Sequence, residues 1–142
     1  MNKFFKAMLF VLLFIWQMPQ NIIAGILALF IGKKKLISYK HWCFAFEAKN
    51  FNNGISLGNF CFVDTIGAAH PEYVAHEQAG HTVDSRLFGP LYLVIIGLPS
   101  LIHAWCCKDQ QDYYDFYTER WANKHAGLTV FKHNGWAYLE FK

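Results

Sequence analysis

The stretch Pro71-Glu72-Tyr73-Val74-Ala75-His76-Glu77-Gln78-Ala79-Gly80-His81-Thr82-Val83-Asp84-Ser85-Arg86-Leu87-Phe88-Gly89-Pro90 sets both the fold and the chemistry of this chain. Proline is tolerated at a first helical position, an acid beside it suits the positive end of the helix dipole, and Gly89-Pro90 stops a helix. The pattern predicts a helix over residues 71–87 that carries His76, Glu77 and His81. Zinc takes imidazole nitrogen and carboxylate oxygen, and a catalytic site uses three protein ligands with a fourth position left for water. His76, His81 and the later Glu119 supply such a set, and Glu77 is left over as a base that passes a proton from water to a leaving amine.

The spacing of the two histidines bears on whether they can share an ion. In a regular helix four residues turn about 400° and leave two side chains within about 40°, whereas five residues turn about 500° and leave them about 140° apart. His76 and His81 are five apart. A π-bulge widens the turn and absorbs one residue, and Gly80 is the residue type that allows a local distortion, so an irregular helix is expected across residues 78–81.

Around this helix the composition leans toward membranes: 54% hydrophobic, 18% aromatic and 16% charged in 142 residues, against roughly 25% charged in soluble domains. Disordered, coiled-coil and collagen-like chains are excluded. The net charge of +3 is concentrated at Lys33, Lys34 and Lys35 beside an apolar run, which reads as a membrane flank and argues against nucleic acid as a partner. Cys43, Cys61, Cys106 and Cys107 form no Cys-x-x-Cys pair, although Cys43 and Cys61 could face each other across two strands.

Residues 7–32 carry no charge and follow Lys3 and Lys6. This is the first membrane segment, preferred over a cleaved signal peptide because no small-x-small site follows and the apolar run resumes at Ile22. Pro19 interrupts it, which leaves two shapes open: a continuous tilted helix, or a re-entrant hairpin with both lysine groups on the cytoplasmic side. Residues 87–107 form a second uncharged run, punctuated by Pro90, Gly97 and Pro99, and are read as a second span or an embedded broken helix. Between the two runs, Trp42, Phe44 and Phe46 alternate with Cys43, Ala45 and Glu47, the period of a strand, and Asn52-Asn53-Gly54 leads to a second extended run over 55–63, so a hairpin is expected. Gly58 inside that run marks a bulge or a close backbone approach. A helix over 114–126 ends at Gly127, and His133-Asn134-Gly135 turns between two short strands.

His76-Glu77-Gln78-Ala79-Gly80-His81 also resembles the spaced His-Glu-x-x-Gly-His motif of the dipeptidyl peptidase III family, in which the extended motif binds zinc. A broader resemblance runs over residues 54–127. Gly54-Ile55-Ser56-Leu57-Gly58-Asn59, the histidine motif, Gly89-Pro90-Leu91-Tyr92-Leu93, Gly97-Leu98-Pro99-Ser100 and Phe116-Tyr117-Thr118-Glu119-x-Trp121-Ala122-Asn123 resemble a family of small uncharacterised Bacteroidetes membrane proteins that look like minimal zincins. Glu119-x-x-x-Asn123 is similar to the glutamate helix of gluzincins, which implies that Glu119 is a ligand and that Asn123 orients a ligand histidine through its other ring proton.

The expectation is therefore an α+β, small zincin-like membrane protein with one or two apolar membrane segments and short β-hairpins. It has an N-terminal membrane segment over 1–35 and a zincin-like domain over 36–142, with an embedded apolar segment at 87–107. Its expected activity is that of a zinc metallopeptidase in the bacterial inner (cytoplasmic) membrane, with Zn2+ on His76, His81 and Glu119, Glu77 as base, and Asn123 behind the ligands. His103 and Tyr117 are candidate transition-state donors, with Tyr113 and Tyr114 as further tyrosines of that kind and ordinary packing or hydrogen bonding as the bland alternative. Substrates are expected to be peptides or membrane proteins at the lipid bilayer, with the strand within 55–63 as the edge that an extended chain would join. A non-catalytic membrane scaffold or binding protein with a degenerate metal site is the competing expectation.

Overall fold

A computed structural model describes residues 2–142 and has a mixed α+β architecture. Two apolar helices, α1 (Lys3–Trp16) and α2 (Met18–Phe30), lead into a four-stranded sheet. The strands are β1 (Lys34–Lys40), β2 (Cys43–Ala48), β3 (Gly54–Leu57) and β4 (Phe60–Val63), in the order β1-β2-β4-β3. Two antiparallel hairpins, β1/β2 and β3/β4, are joined by a parallel β2/β4 pairing in which Phe44 lies beside Phe60 and Phe46 beside Phe62.

The alternation of side chains divides this sheet into two unlike faces. Phe44 stacks on Phe60 and Phe46 on Phe62, each with ring centroids 5.9 Å apart, on the face covered by α2 through Ala24 and Leu27. The opposite face carries Cys43, Ala45 and Cys61, small side chains that let the histidine helix lie close, with Val74 packed on them. Cys43 and Cys61 do share a face, as free thiols, and the neighbouring Cys43 thiol followed by burial holds the Cys61 thiol well above its ordinary range.

The expected single hairpin is corrected to two. The turn at Asn52-Asn53-Gly54 does not join paired strands; it carries the chain from β2 across to the sheet edge, where β3 starts. The run over 55–63 is broken instead at Gly58, whose φ of +64° suits a tight turn that β-carbon-bearing residues rarely adopt. The close approach expected there is real, because a Cβ on Gly58 would lie 2.2 Å from Asn21 Oδ1.

The histidine segment is one irregular helical run: α3 (Thr65–Ala68) precedes α4 (Pro71–Ala75), a π-helical turn (His76–His81) and α5 (Thr82–Phe88). A 3-10 turn (Gly89–Leu91), a second π-helical turn (Leu93–Gly97) and α6 (Leu98–Cys106) follow, then α7 (Gln110–Tyr113) and α8 (Tyr117–Ala126). Gly127, at φ +70°, closes α8, and β5 (Leu128–His133) pairs with β6 (Trp136–Phe141) across a left-handed Asn134-Gly135 turn. The last helix begins at Tyr117, later than the expected 114.

Among the described residues no single helix is long and apolar enough to cross a membrane. The N-terminal run is bent by 82° between α1 and α2, and the 71–106 region by 119° at Tyr92. Pro19 sits in the first turn of α2, where its missing N–H costs nothing, so it starts the second helix. The continuous N-terminal helix is thereby excluded, and the second apolar run is a broken helix.

The polar residues at this elbow key the helices into the fold. Gln17, Gln20 and Asn21 are buried. Asn21 accepts from the Asn59 backbone N–H (2.8 Å) and donates to the Asn59 side-chain oxygen (3.0 Å), and Gln20 donates to the Gly89 carbonyl. Trp16 donates to the Arg86 carbonyl (2.9 Å) and lies over Gly89, where a Cβ would meet its ring at 2.3 Å. Asn21→Leu keeps the volume but leaves the buried Asn59 N–H without an acceptor. A loss of about 1–3 kcal/mol is expected, the penalty of an unmade buried hydrogen bond, read by thermal or urea unfolding in mild detergent. Unchanged stability would show that the elbow is only a tether.

Candidate metal centre

The site is built where α8 crosses the π-helical turn. A π turn closes one residue later than an α turn, so His76 and His81, five apart, come to the same side, with ring centroids 4.9 Å apart and planes at 85°. Gln78 anchors the turn to the sheet, donating to the Cys43 carbonyl (2.8 Å) and accepting from Ser38 Oγ (3.1 Å). Gly80 is needed for contact, since its backbone is helical: a Cβ there would stand 2.6 Å from the Ala122 carbonyl oxygen of α8. That close crossing delivers Glu119 and Asn123, one helical turn apart, to the histidines.

Glu119 Oε2 lies 3.0 Å from His76 Nε2 and 3.5 Å from His81 Nε2, and the three ligand atoms all fall within 4.8 Å of one another. All three residues are buried. Tetrahedral zinc with bonds of about 2.0–2.1 Å holds its ligand atoms about 3.3 Å apart, so the spacing suits an ion of that size. The other oxygen, Oε1, is occupied by Ser100 Oγ (2.7 Å) and Thr118 Oγ1 (3.0 Å).

The proton inventory points the same way. Asn123 Oδ1 faces His76 Nδ1 at 2.7 Å, the orienting contact expected of Asn123, and an amide oxygen there calls for Nδ1–H. The Nε2 atom then faces a carboxylate oxygen at 3.0 Å, a separation that either a proton on the ring or a cation between the two accounts for. His76, His81 and Glu119 thus fit a metal ion. Without one, a proton takes the place. Burial by itself lowers the pKa of His81, but the charge and hydrogen bond of Glu119, with Glu77 and Asp84, raise it to about 9. Burial pushes Glu119 up, and His81 and His76 outweigh it, holding the carboxyl well below the usual range.

Glu77 forms a wall of a cleft of about 990 Å3 that His81 also lines. Ser56 Oγ sits 2.6 Å from Glu77 Oε2 and 2.9 Å from the Glu77 carbonyl. A Cβ on Gly54 would lie 2.3 Å from Glu77 Oε1 and 2.9 Å from Tyr73 Oη, so only glycine leaves room at the start of β3. Tyr73 and Tyr114 also line the cleft, and the Tyr114 ring meets His76 edge-on at 5.8 Å. Burial, followed by the charge of the nearby glutamates, raises both phenols, which therefore stay protonated donors.

Two candidates are placed elsewhere. His103 lies 3.2 Å from the Tyr113 carbonyl and stacks on Phe116 at 4.2 Å, and Tyr117 donates to the Ile95 carbonyl, so both brace the walls and neither lines the cleft. The breaks between residues 88 and 107 set the helix phase there, which sequence periodicity cannot carry across. Tyr73, Ser56, Ser100 and Asp84 were not expected. Tyr73 had a signal, three residues before His76 and so on the same helix face. His125 pairs with buried Asp84 at 3.0 Å.

No protein family, curated protein or solved structure matches this chain.

The proton and the ion give opposite pH signs. In the metal-free protein, His81 contributes stability that is complete below its ordinary 6.5 and is lost as the pH rises through about 9. Glu119 contributes stability that is present above its ordinary 4.5 and is lost as the pH falls through its depressed value. Metal-free stability should fall between about pH 6.5 and 9, while zinc affinity, which needs neutral imidazole, should rise over the same window. Unfolding curves with and without chelator check both, and parallel trends would remove the cation from the site. Gly80→Ala should weaken zinc binding by about 10- to 100-fold, the range for displaced ligand-orienting groups, as α8 is pushed off the π turn. Competition against a chromogenic chelator reads it.

Proposed function

We propose that this chain is a membrane-associated, zincin-like zinc metallopeptidase that uses water to hydrolyse peptide bonds. The observation that carries the reading is the convergence of His76, His81 and Glu119 beside a cleft walled by Glu77. Two imidazoles and one carboxylate are a recurring catalytic zinc set, with one coordination position left over. The sequence resemblance to small zincin-like membrane proteins supports the same reading. Bound zinc would supply a Lewis acid that makes water nucleophilic near neutral pH.

The chain's own groups would then do the following. Glu77, held by Ser56 Oγ, accepts the proton of the attacking water and returns it to the leaving amine. Tyr73 and Tyr114, kept as phenols, donate toward the oxygen on which charge develops. Asn123 fixes the ring of His76, and Ser100 and Thr118 fix the carboxylate of Glu119. β3 is one of the two edge strands of the sheet and Gly54–Leu57 line the cleft, so an extended peptide can join it there; its Ser56 carbonyl is already taken by Tyr92 Oη at 3.0 Å. Membrane association rests on the exposed apolar residues of α1 and α2, such as Phe4, Leu12, Ile26 and Phe30, next to Lys3, Lys6, Lys33 and Lys35. A bacterial inner membrane is the location this reading implies.

Glu77→Gln keeps size and leaves the three ligands in place, so zinc content should stay near wild type while hydrolysis of a quenched peptide library falls at least about a hundredfold. His81→Ala should lose the ion itself, because two ligands hold zinc poorly. Elemental analysis in parallel with the assay separates the two variants. Equal turnover by wild type and Glu77→Gln would eliminate the peptidase, and zinc bound without turnover on any peptide would favour a scaffold with a vestigial site.

A further inference from the structure

The two histidines are backed differently on the side away from Glu119. His76 Nδ1 faces Asn123 Oδ1 at 2.7 Å, whereas no hydrogen bond reaches His81 Nδ1, although that ring is buried as well. The carboxylate oxygen that stands toward it is Oδ2 of Asp84, 3.8 Å away and likewise without a hydrogen bond. Asp84 is fully buried, and no step of the proposed reaction uses it. It follows His81 by three residues on α5, where the run has returned to α geometry, so the two share a helix face. Its other oxygen, Oδ1, stands 3.0 Å from His125 Nδ1 on α8, and the His125 side chain is 28% exposed. One carboxylate thus lies between two imidazoles, a ligand ring on the inner side and a partly exposed ring on the outer side.

We propose that Asp84 is the positioning residue of His81: in the metal-loaded protein its Oδ2 accepts the His81 Nδ1 proton, so that Nε2 keeps its lone pair for the ion. This role depends on the metal centre and not on the peptidase reading. His81 Nε2 is the nitrogen 3.5 Å from Glu119 Oε2, so a neutral ligand ring carries its proton on Nδ1, and a buried N–H needs an acceptor. Asp84 Oδ2 is the unfilled acceptor on that side. The gap of 3.8 Å is about 0.6 Å more than an ordinary N–H···O bond spans, and it lies between a ring that no hydrogen bond holds and a carboxylate that His125 meets from the far side. A neutral side chain could tie α5 to α8 without the cost of a buried charge, whereas a carboxylate behind an imidazole fixes its tautomer and makes it a stronger metal ligand. α8 then backs both rings, Asn123 meeting His76 directly and His125, two residues on, reaching His81 through Asp84. The helix that brings in Glu119 also sets what stands behind the two histidines.

The test reads metal binding rather than turnover, on the full-length protein in mild detergent. Competition against a chromogenic chelator should show Asp84→Ala binding zinc about 10- to 100-fold more weakly than wild type, the range for loss of a partner that orients a ligand. Asp84→Asn keeps one oxygen that can accept the ring proton but no charge, so it should fall between the two, and it decides the question if Asp84→Ala does not fold. With cobalt in place of zinc, the visible absorption bands report the arrangement of the ligands and should shift in both variants. His125→Ala leaves Oδ2 beside His81 and should cost less than Asp84→Ala. Wild-type zinc affinity and unshifted cobalt bands in the folded Asp84 variants overturn the inference while the metal centre stands. So does an equal loss of affinity in His125→Ala with unshifted bands, which would make Asp84 a tether between α5 and α8. If wild type takes up neither zinc nor cobalt, the metal centre falls and this role falls with it.

Discussion

Glu119 Oε2 faces two imidazole nitrogens at once, and most of the local irregularity of the chain serves that contact. An α-helix would turn the two histidines apart, so the backbone widens into a π turn over His76–His81. A β-carbon at position 80 would hold α8 away, so the turn carries glycine where the Ala122 backbone crosses. The wider turn would be free to shift if nothing held it, and Gln78 ties it to β1 and β2 through Ser38 and Cys43. Burial of ionisable groups costs least when their hydrogen-bonding capacity is used, and two of the three ligands have their outer atoms engaged, Glu119 Oε1 by two hydroxyls and His76 Nδ1 by Asn123, while His81 Nδ1 has no hydrogen-bond partner.

The sheet makes that crossing possible by presenting different side chains to its two layers. Cys43, Ala45, Cys61, Gly54 and Ser56 bring the histidine helix close to the strands, and β3 can then place Ser56 against Glu77. The stacked phenylalanines of the other face demand an apolar cover, which α1 supplies through Phe10 and Phe14 and α2 through Ala24 and Leu27. α1 and α2 are thus more than an appended anchor. Their elbow is keyed by buried Gln17, Gln20 and Asn21 to the turn at Asn59 and to Gly89, the residue at which α5 gives way to the broken helix. The same α2 contributes Ile23 to the cleft wall, so the apolar N-terminal segment and the candidate site form one structure.

Local signals were legible in the sequence, and non-local ones were not. The alternation over 43–47, the Asn134-Gly135 turn, Gly127 as a helix stop and the Glu119-x-x-x-Asn123 spacing each depend on neighbours within one or two turns and have their expected local form, while Trp42 falls in the turn before β2 at φ +61°. The five-residue histidine spacing itself announced the wide turn. Strand order depends on contacts across the chain: nothing within 43–63 signals that β4 lies parallel to β2 with β3 outside it. Two turn signals competed there, and Gly58 formed the hairpin while Asn52-Asn53-Gly54 became a crossing link. His103 and Tyr117 lay beyond two changes of helix type, where the direction of a side chain is no longer readable from spacing. Gln17, Gln20 and Asn21 signalled an interruption, but which groups they pair with required the fold.

Charge balance bears on what this interior can hold. Glu77, Asp84 and Glu119 are all buried, and among the described residues no lysine or arginine forms an ion pair with any of them. The nearest candidate in sequence, Arg86, is spent on the carbonyls of Thr82 and His41. Histidines are the partners left, and each offers a positive charge only while protonated. His125 Nδ1 lies 3.0 Å from Asp84 Oδ1, whereas His81 Nδ1 stands 3.8 Å from Asp84 Oδ2, beyond hydrogen-bond length. His76 is therefore locked from behind and His81 is not, so the shared carboxylate and the fixed His76 form the preset part of the site and His81 the part that adjusts. Protons can balance these acids on a buried imidazole or on a carboxyl itself, as burial, the largest influence on Asp84, pushes its carboxyl up, and each such balance disappears as the pH rises. A cation held by His76, His81 and Glu119 would add positive charge beside these acids and would need both rings neutral with lone pairs directed at it.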